Sequence, residues 1–112
     1  MTLADTYRLA GLERRAAQVL AALQEHGPSK KMELEDRTGI SWNTVRVALA
    51  RLERLSLVSH TKIRQEGRGR PYALWSAVSV DAASEVLLRE HRERDAVLRE
   101  SLRELRNPPP PH

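Results

Sequence analysis

Two short apolar patterns of helical spacing lie between residues 26 and 55, separated by only three residues. Met32 and Leu34 mark the first, over about residues 30–38, with Ser29 placed to cap it. Val45, Ala48, Leu49 and Leu52 stand at i, i+3, i+4 and i+7 of the second, over about residues 42–55. Gly39 closes the first, Ile40 turns inward, and Ser41 is the natural N-cap of the second. Two helices joined by a three-residue turn containing glycine form the helix-turn-helix signature. The first has too few apolar residues to be stable alone, so it must lean on its neighbours.

The flanking sequence completes one domain. Leu9, Leu12, Ala16, Val19, Leu20 and Leu23 recur at helical steps over about residues 5–26, with Gly11 able to split off a short helix over residues 3–10. Gly27 and Pro28 end that pattern. Residues 57–64 and 71–76 are strand-like and flank a turn, Glu66-Gly67-Arg68-Gly69-Arg70, which predicts a β-hairpin with a basic tip. A last helix spans about residues 79–105, on the order of 37 Å at 1.5 Å per residue, longer than a small core needs. Asn107 and four prolines follow, and this tail is expected to be extended and disordered. The expected fold is mainly α with a small β-hairpin (α+β). Its divisions are residues 1–78, a helix over 79–106 and a tail over 107–112. A chain of 112 residues, 40% hydrophobic and 30% charged, fits one modest core.

Charge is concentrated in the middle. Residues 41–70 hold seven basic residues (Arg46, Arg51, Arg54, Lys62, Arg64, Arg68 and Arg70) against Glu53 and Glu66. That segment carries a net +5, so the remainder contributes −1 to the chain total of +4. A basic block between near-neutral flanks suggests an anionic partner; a solvated arginine-rich surface is the plainer alternative.

The segments Gly39-Ile40-Ser41-Trp42-Asn43-Thr44-Val45-Arg46 and Ala48-Leu49-Ala50-Arg51-Leu52-Glu53-Arg54, with Glu66-Gly67-Arg68-Gly69-Arg70-Pro71-Tyr72, resemble the recognition helix and wing of winged helix-turn-helix transcriptional regulators. That superfamily includes the PadR, MarR, ArsR and GntR groups. The resemblance covers about residues 12–78. Ser56 stands where such proteins usually have glycine, before the Leu-Val of the first wing strand. The long last helix is similar to that of small PadR- and MarR-type regulators, where such a helix pairs two subunits. The implied function is sequence-specific binding of double-stranded DNA by a homodimeric repressor.

Physical chemistry assigns roles on the same lines. A helix of about 10–12 Å fits the major groove, with its N-terminal residues at base edges. Those residues are Trp42, Asn43, Thr44, Arg46 and Val47, followed by Arg51. Asn43 suits adenine and Arg46 suits guanine; Ser41 and Thr44 suit phosphates. Arg68 and Arg70 at the tip suit the minor groove, with Lys62 and Arg64 on the strand before it. Lys30 and Lys31 start the helix that sits beside the phosphates in the resembling family. Trp42 can equally cap the core, Asn43 can be a first-turn polar residue, and Arg51 and Arg54 can pair with Glu53. Trp75 and Tyr72 are expected in core or dimer packing. Val86, Leu87, Val97, Leu98, Leu102 and Leu105 are the candidate dimer interface, although Arg89–Asp95 interrupts the stripe with seven polar residues. A metal site at His91 and Asp95 is a poorer reading than a surface ion pair.

Other classes fit less well. The four histidines are 34, 31 and 21 residues apart, without metal-ligand spacing. There is no phosphate-binding loop, dinucleotide fingerprint or Gly-x-Ser-x-Gly elbow, so neither catalysis nor a cofactor is expected. Two tryptophans and two tyrosines, with no phenylalanine, are too few for a single-strand stacking platform. A DNA-binding protein of plasmid partition or replication control, or a winged-helix module for protein contacts, remains the alternative. No motif marks a small-molecule effector site. No apolar run approaches the roughly 18 residues of a membrane span. Cysteine is absent and residues 1–5 lack a secretory layout, so a cytoplasmic, nucleoid-associated protein is expected.

Overall fold

The computed structural model describes the chain except residues 66, 68, 108, 109, 111 and 112. Its elements are α1 (Leu3–Leu9), α2 (Arg14–His26), α3 (Lys31–Thr38), α4 (Trp42–Arg54), β1 (Val58–Ile63), β2 (Tyr72–Ala77) and α5 (Val80–Arg106). The architecture is mainly α with one antiparallel hairpin, as the spacing predicts. The split at Gly11 is real: α1 and α2 are separate helices, and Leu9, once off the shared stripe, is 76% exposed.

α2 is the hub. It packs against α1, α3, α4 and β2, because its small residues Ala16, Ala17, Ala21 and Ala22 let neighbours approach while Val19, Leu20 and Leu23 fill the space between them. Leu34 from α3, Ile40 from the turn, Val45, Leu49 and Leu52 from α4, and Leu57 before β1 complete the core. Met32 points outward, so α3 is held by Leu34 as its single buried side chain.

Ser29 does not cap α3. Lys30 occupies the N-cap position, and the Glu33 carboxylate accepts from the Lys30 backbone N–H at 2.9 Å. Ser29 is fully buried and pairs instead with Trp75. The Ser29 N–H donates to the Trp75 carbonyl at 2.8 Å and the Trp75 N–H donates back at 2.9 Å. Its hydroxyl donates to the Gly27 carbonyl at 2.8 Å and accepts from the Arg37 guanidinium at 2.6 Å. A serine before a helix is an N-cap by local propensity alone; here a tertiary β-bridge satisfies its backbone, and the cap moves one residue on.

In the hairpin, register runs from Val58 opposite Ala77 to Ile63 opposite Tyr72. β1 starts one residue later than the sequence suggests and also ends one earlier, and β2 sits one residue later, with Leu57 taken into the core and its carbonyl accepting from the Val78 N–H at 3.0 Å. α5 starts at an N-cap, Ser79, whose hydroxyl accepts from the Ala82 N–H at 3.1 Å. Its first turns belong to the domain core through Ala83 and Leu87. Leu87 is 7% exposed and Val86 is half-buried against the same core, so these two candidate interface residues are used within the protomer. Val97, Leu98, Leu102 and Leu105 remain exposed on the distal half. Asp95 pairs with Arg99 at 3.2 Å rather than with His91. No cluster of three metal-ligating side chains occurs among the described residues.

Candidate nucleic-acid interface

The α4 helix has a strict division of faces. Its apolar stripe is buried, and Asn43, Arg46, Val47, Ala50, Arg51 and Arg54 are exposed on the other side. Ser41 is the N-cap residue, and its carbonyl accepts from the Thr44 and Val45 N–H groups at 3.1 and 3.0 Å. The Ser41 hydroxyl makes no backbone capping bond but lies 3.4 Å from the Thr44 hydroxyl. The first turn of α4 therefore keeps backbone donors and two hydroxyls on its outer end, the set a phosphate oxygen needs. Trp42 is half-buried and packs against the core, which supports its plainer reading.

Two adjacent lysines connect this helix to the hairpin. The Lys31 ammonium lies 5.1 Å from the Trp42 ring centroid, at the start of α4. The Lys30 ammonium lies 4.3 Å from the ring of Tyr72, the first residue of β2. The beginning of α3, the beginning of α4 and the wing end of β2 thus meet in one place. Tyr72 is part of this junction rather than of the core, a role the sequence alone did not reveal. Each ammonium sits on an aromatic face yet remains exposed, so it keeps its charge available to an outside anion.

Two further contacts fix the hairpin to the helices. The Ser29–Trp75 bridge adds a backbone rung at the outer side of β2. On the other strand, His60 Nδ1 lies 2.6 Å from a Glu53 carboxylate oxygen, which joins the last turn of α4 to β1. The His60 ring also packs, tilted by 40°, against its cross-strand partner Trp75, with centroids 4.6 Å apart. His60 does not stand out in the sequence, and Ser29 stands out there only as a helix cap. A serine and a histidine carry no periodicity, and only strand register brings them to Trp75.

Lys62, Arg64 and Arg70 are exposed along the wing. Gly67 at its tip has φ +88°, a conformation glycine adopts without strain. Arg68 lies outside the described residues. Among the described residues, Lys30, Lys31, Arg46, Arg51, Arg54, Lys62, Arg64 and Arg70 take part in no salt bridge, whereas Arg94, Arg99 and Arg103 of α5 are each paired with a carboxylate of their own helix. Among the described residues these basic side chains of the block are thus without ion-pair partners, and α5 is partly self-neutralised.

The comparisons with known proteins agree with this geometry. Residues 10–70, more than half of the chain, match the model of the MarR family. A possible transcriptional regulator from Methanosarcina mazei Go1 superposes with a TM-score of 0.70 at 14% identity, covering 89% of this chain and 85% of that one. A probable transcriptional regulator from Pseudomonas aeruginosa gives 0.55 at 26% identity, covering 85% and 76%. Bordetella bronchiseptica BpsR, whose DNA binding is regulated by 6-hydroxynicotinic acid, gives 0.57 at 20% identity, covering 88% and 73%. No curated protein sequence matches. No helix among the described residues is long and apolar enough to cross a membrane. A helix-turn-helix whose second helix exposes a polar face, a hairpin fixed to it, and the matching family model together place the chain in the MarR family of transcriptional regulators.

Proposed function

We propose that this protein is a homodimeric, sequence-specific regulator that binds double-stranded DNA and represses transcription by occupying a promoter at the nucleoid. In this reading α4 enters the major groove. Asn43 and Arg46 read base edges, and Trp42, Val47 and Arg51 line the same approach. Ser41, Thr44, Lys30 and Lys31 hold phosphates. Lys62, Arg64, Arg68 and Arg70 carry the wing along the backbone and into the minor groove. The distal residues of α5, Val97, Leu98, Leu102 and Leu105, pair two subunits so that two recognition helices sit about 34 Å apart, one turn of the duplex.

The observation that carries the reading is the junction of Lys31 with Trp42 and Lys30 with Tyr72. It joins the proposed reading helix and the proposed wing through exposed cations. If each subunit neutralises about four phosphates, log K falls against log salt with a slope of about −7 for the dimer. Measuring affinity for duplex between low and moderate salt tests this, and a slope near zero overturns it. Arg68→Ala with Arg70→Ala weakens all sequences by similar factors. Asn43→Ala or Arg46→Ala costs about 1–3 kcal/mol at particular base pairs and relaxes preference there. An Asn43→Ala protein with an unchanged footprint and preference removes α4 as the reading helix.

A further inference from the structure

We propose that Val47 reads the 5-methyl group of thymine, and so fixes one base of the recognised sequence; the inference rests on the role of α4 proposed above. Every other large aliphatic residue of α4, namely Val45, Leu49 and Leu52, is buried in the core. Val47 is 61% exposed and belongs to no core contact. Its presence there has no reason in the helix itself: a β-branched side chain loses rotamer freedom in a helix and is a poorer helix former than the straight-chain polar residues that suit a solvated position. Stability within the protomer therefore does not account for it.

Its neighbours on the helix surface show what surrounds it. Asn43 lies one turn before it on the same face, Arg51 one turn after, and Ala50 three residues on, all exposed. The exposed face thus carries a small apolar island, Val47 with Ala50, among hydrogen-bonding and cationic groups. A major groove presents the complementary pattern. Its base edges are donors and acceptors with one apolar feature, the thymine methyl, which side chains of this kind contact. Four residues of α-helix advance about 6 Å, close to two base-pair steps of about 3.4 Å. With α4 lying along the groove, the thymine stands about two base pairs from the adenine that Asn43 reads.

The test uses the full chain and a duplex selected by it from a random pool. Each thymine of that duplex is replaced singly by deoxyuridine, which removes the 5-methyl group and leaves the hydrogen-bonding edge intact. One replacement in each half-site is expected to weaken binding about four-fold, the value of one buried methyl-sized group. It should fall about two base pairs from the adenine whose identity ceases to matter in Asn43→Ala. Val47→Ala should bind the thymine and uracil duplexes equally. The first arm needs no variant, so a fault in folding of Val47→Ala cannot mask the result. Wild-type protein indifferent to every replacement, or a loss that persists undiminished in Val47→Ala, overturns the assignment while leaving DNA binding in place. A pool that yields no preferred duplex instead removes the reading role of α4, and this inference with it.

Discussion

Ser56 turns the chain from α4 into the wing with φ +61°, the left-handed region where a Cβ is unwelcome. Its N–H donates to the Glu53 carbonyl at 3.0 Å, and Leu57 behind it donates to Leu52 at 2.9 Å, so the turn is locked by backbone bonds that do not need the side chain. Ser56→Gly should raise stability by about 0.5–1 kcal/mol after the extra entropy of glycine in the unfolded chain is offset. Thermal unfolding checks it as a rise of a few degrees, and a fall would mean the hydroxyl has a role the backbone does not explain. The sequence displays this position only as a serine where glycine is usual; the sign of φ comes from the closure of the turn. Tyr7 was invisible for a related reason. It is buried, and its hydroxyl donates to Gln24 at 2.6 Å, while the Gln24 amide donates to the Val78 carbonyl at 3.0 Å. One chain of polar bonds thereby joins α1, α2 and the connection between β2 and α5, its end residues 71 positions apart in sequence. Tyr7→Phe should cost about 1 kcal/mol by denaturant unfolding. Burial holds the Tyr7 phenol above its ordinary pKa of 10.0. Its contribution is therefore present below pH 10 and is lost as pH rises through the elevated value, and the phenylalanine variant lacks that alkaline loss.

Helices and hairpin were readable because each repeats a period, whereas the attachments between them were not, because each is a meeting of single residues. α4 could be placed from its apolar stripe to within a residue, whereas of α2 only the end could, because its pattern ran on from about residue 5 across the break at Gly11. The wing anchors, Ser29 on Trp75, Lys30 on Tyr72 and Glu53 on His60, depend on strand register and helix rotation that no local pattern encodes. Under the proposed function, the Glu53–His60 contact is expected to affect DNA binding more than stability. Both side chains are about two-fifths exposed, so breaking it should change unfolding free energy by under about 1 kcal/mol. It nevertheless fixes β1 to the last turn of α4. Glu53→Gln should leave unfolding almost unchanged and weaken duplex binding by about two- to five-fold, as the wing explores orientations that DNA contact must then restrict. Equal affinity in gel shifts would show that the other two anchors hold the wing alone.

α5 gives the molecule its elongated form, with a longest extent of 68 Å against 38 and 24 Å in the other directions. Its 27 residues span about 40 Å, yet only Ala83 and Leu87 are buried, both in its first third. Beyond them the helix projects with Val97, Leu98, Leu102 and Leu105 exposed. Ion pairs such as Glu90–Arg94 and Asp95–Arg99 add only tenths of a kcal/mol each, too little to hold a solitary projecting helix whose distal half also exposes these four large apolar side chains. A cleft between α1 and the start of α5, lined by Leu3, Leu9, Val80, Leu88 and His91, offers a second apolar surface beside it. A second copy of the chain can cover both. Removing everything after Trp75 is a poor test, because it deletes Ala83 and Leu87 from the core and would unfold the domain itself. Leu98→Glu with Leu102→Glu leaves that core intact and places charges on the proposed seam. The variant should sediment as a monomer of 12.7 kDa, half the mass of the proposed wild-type dimer. Its duplex binding should weaken and its salt slope should fall from about −7 to about half that value, since one subunit releases half the counterions. A doubly substituted protein that still sediments as a dimer would place the subunit contact elsewhere.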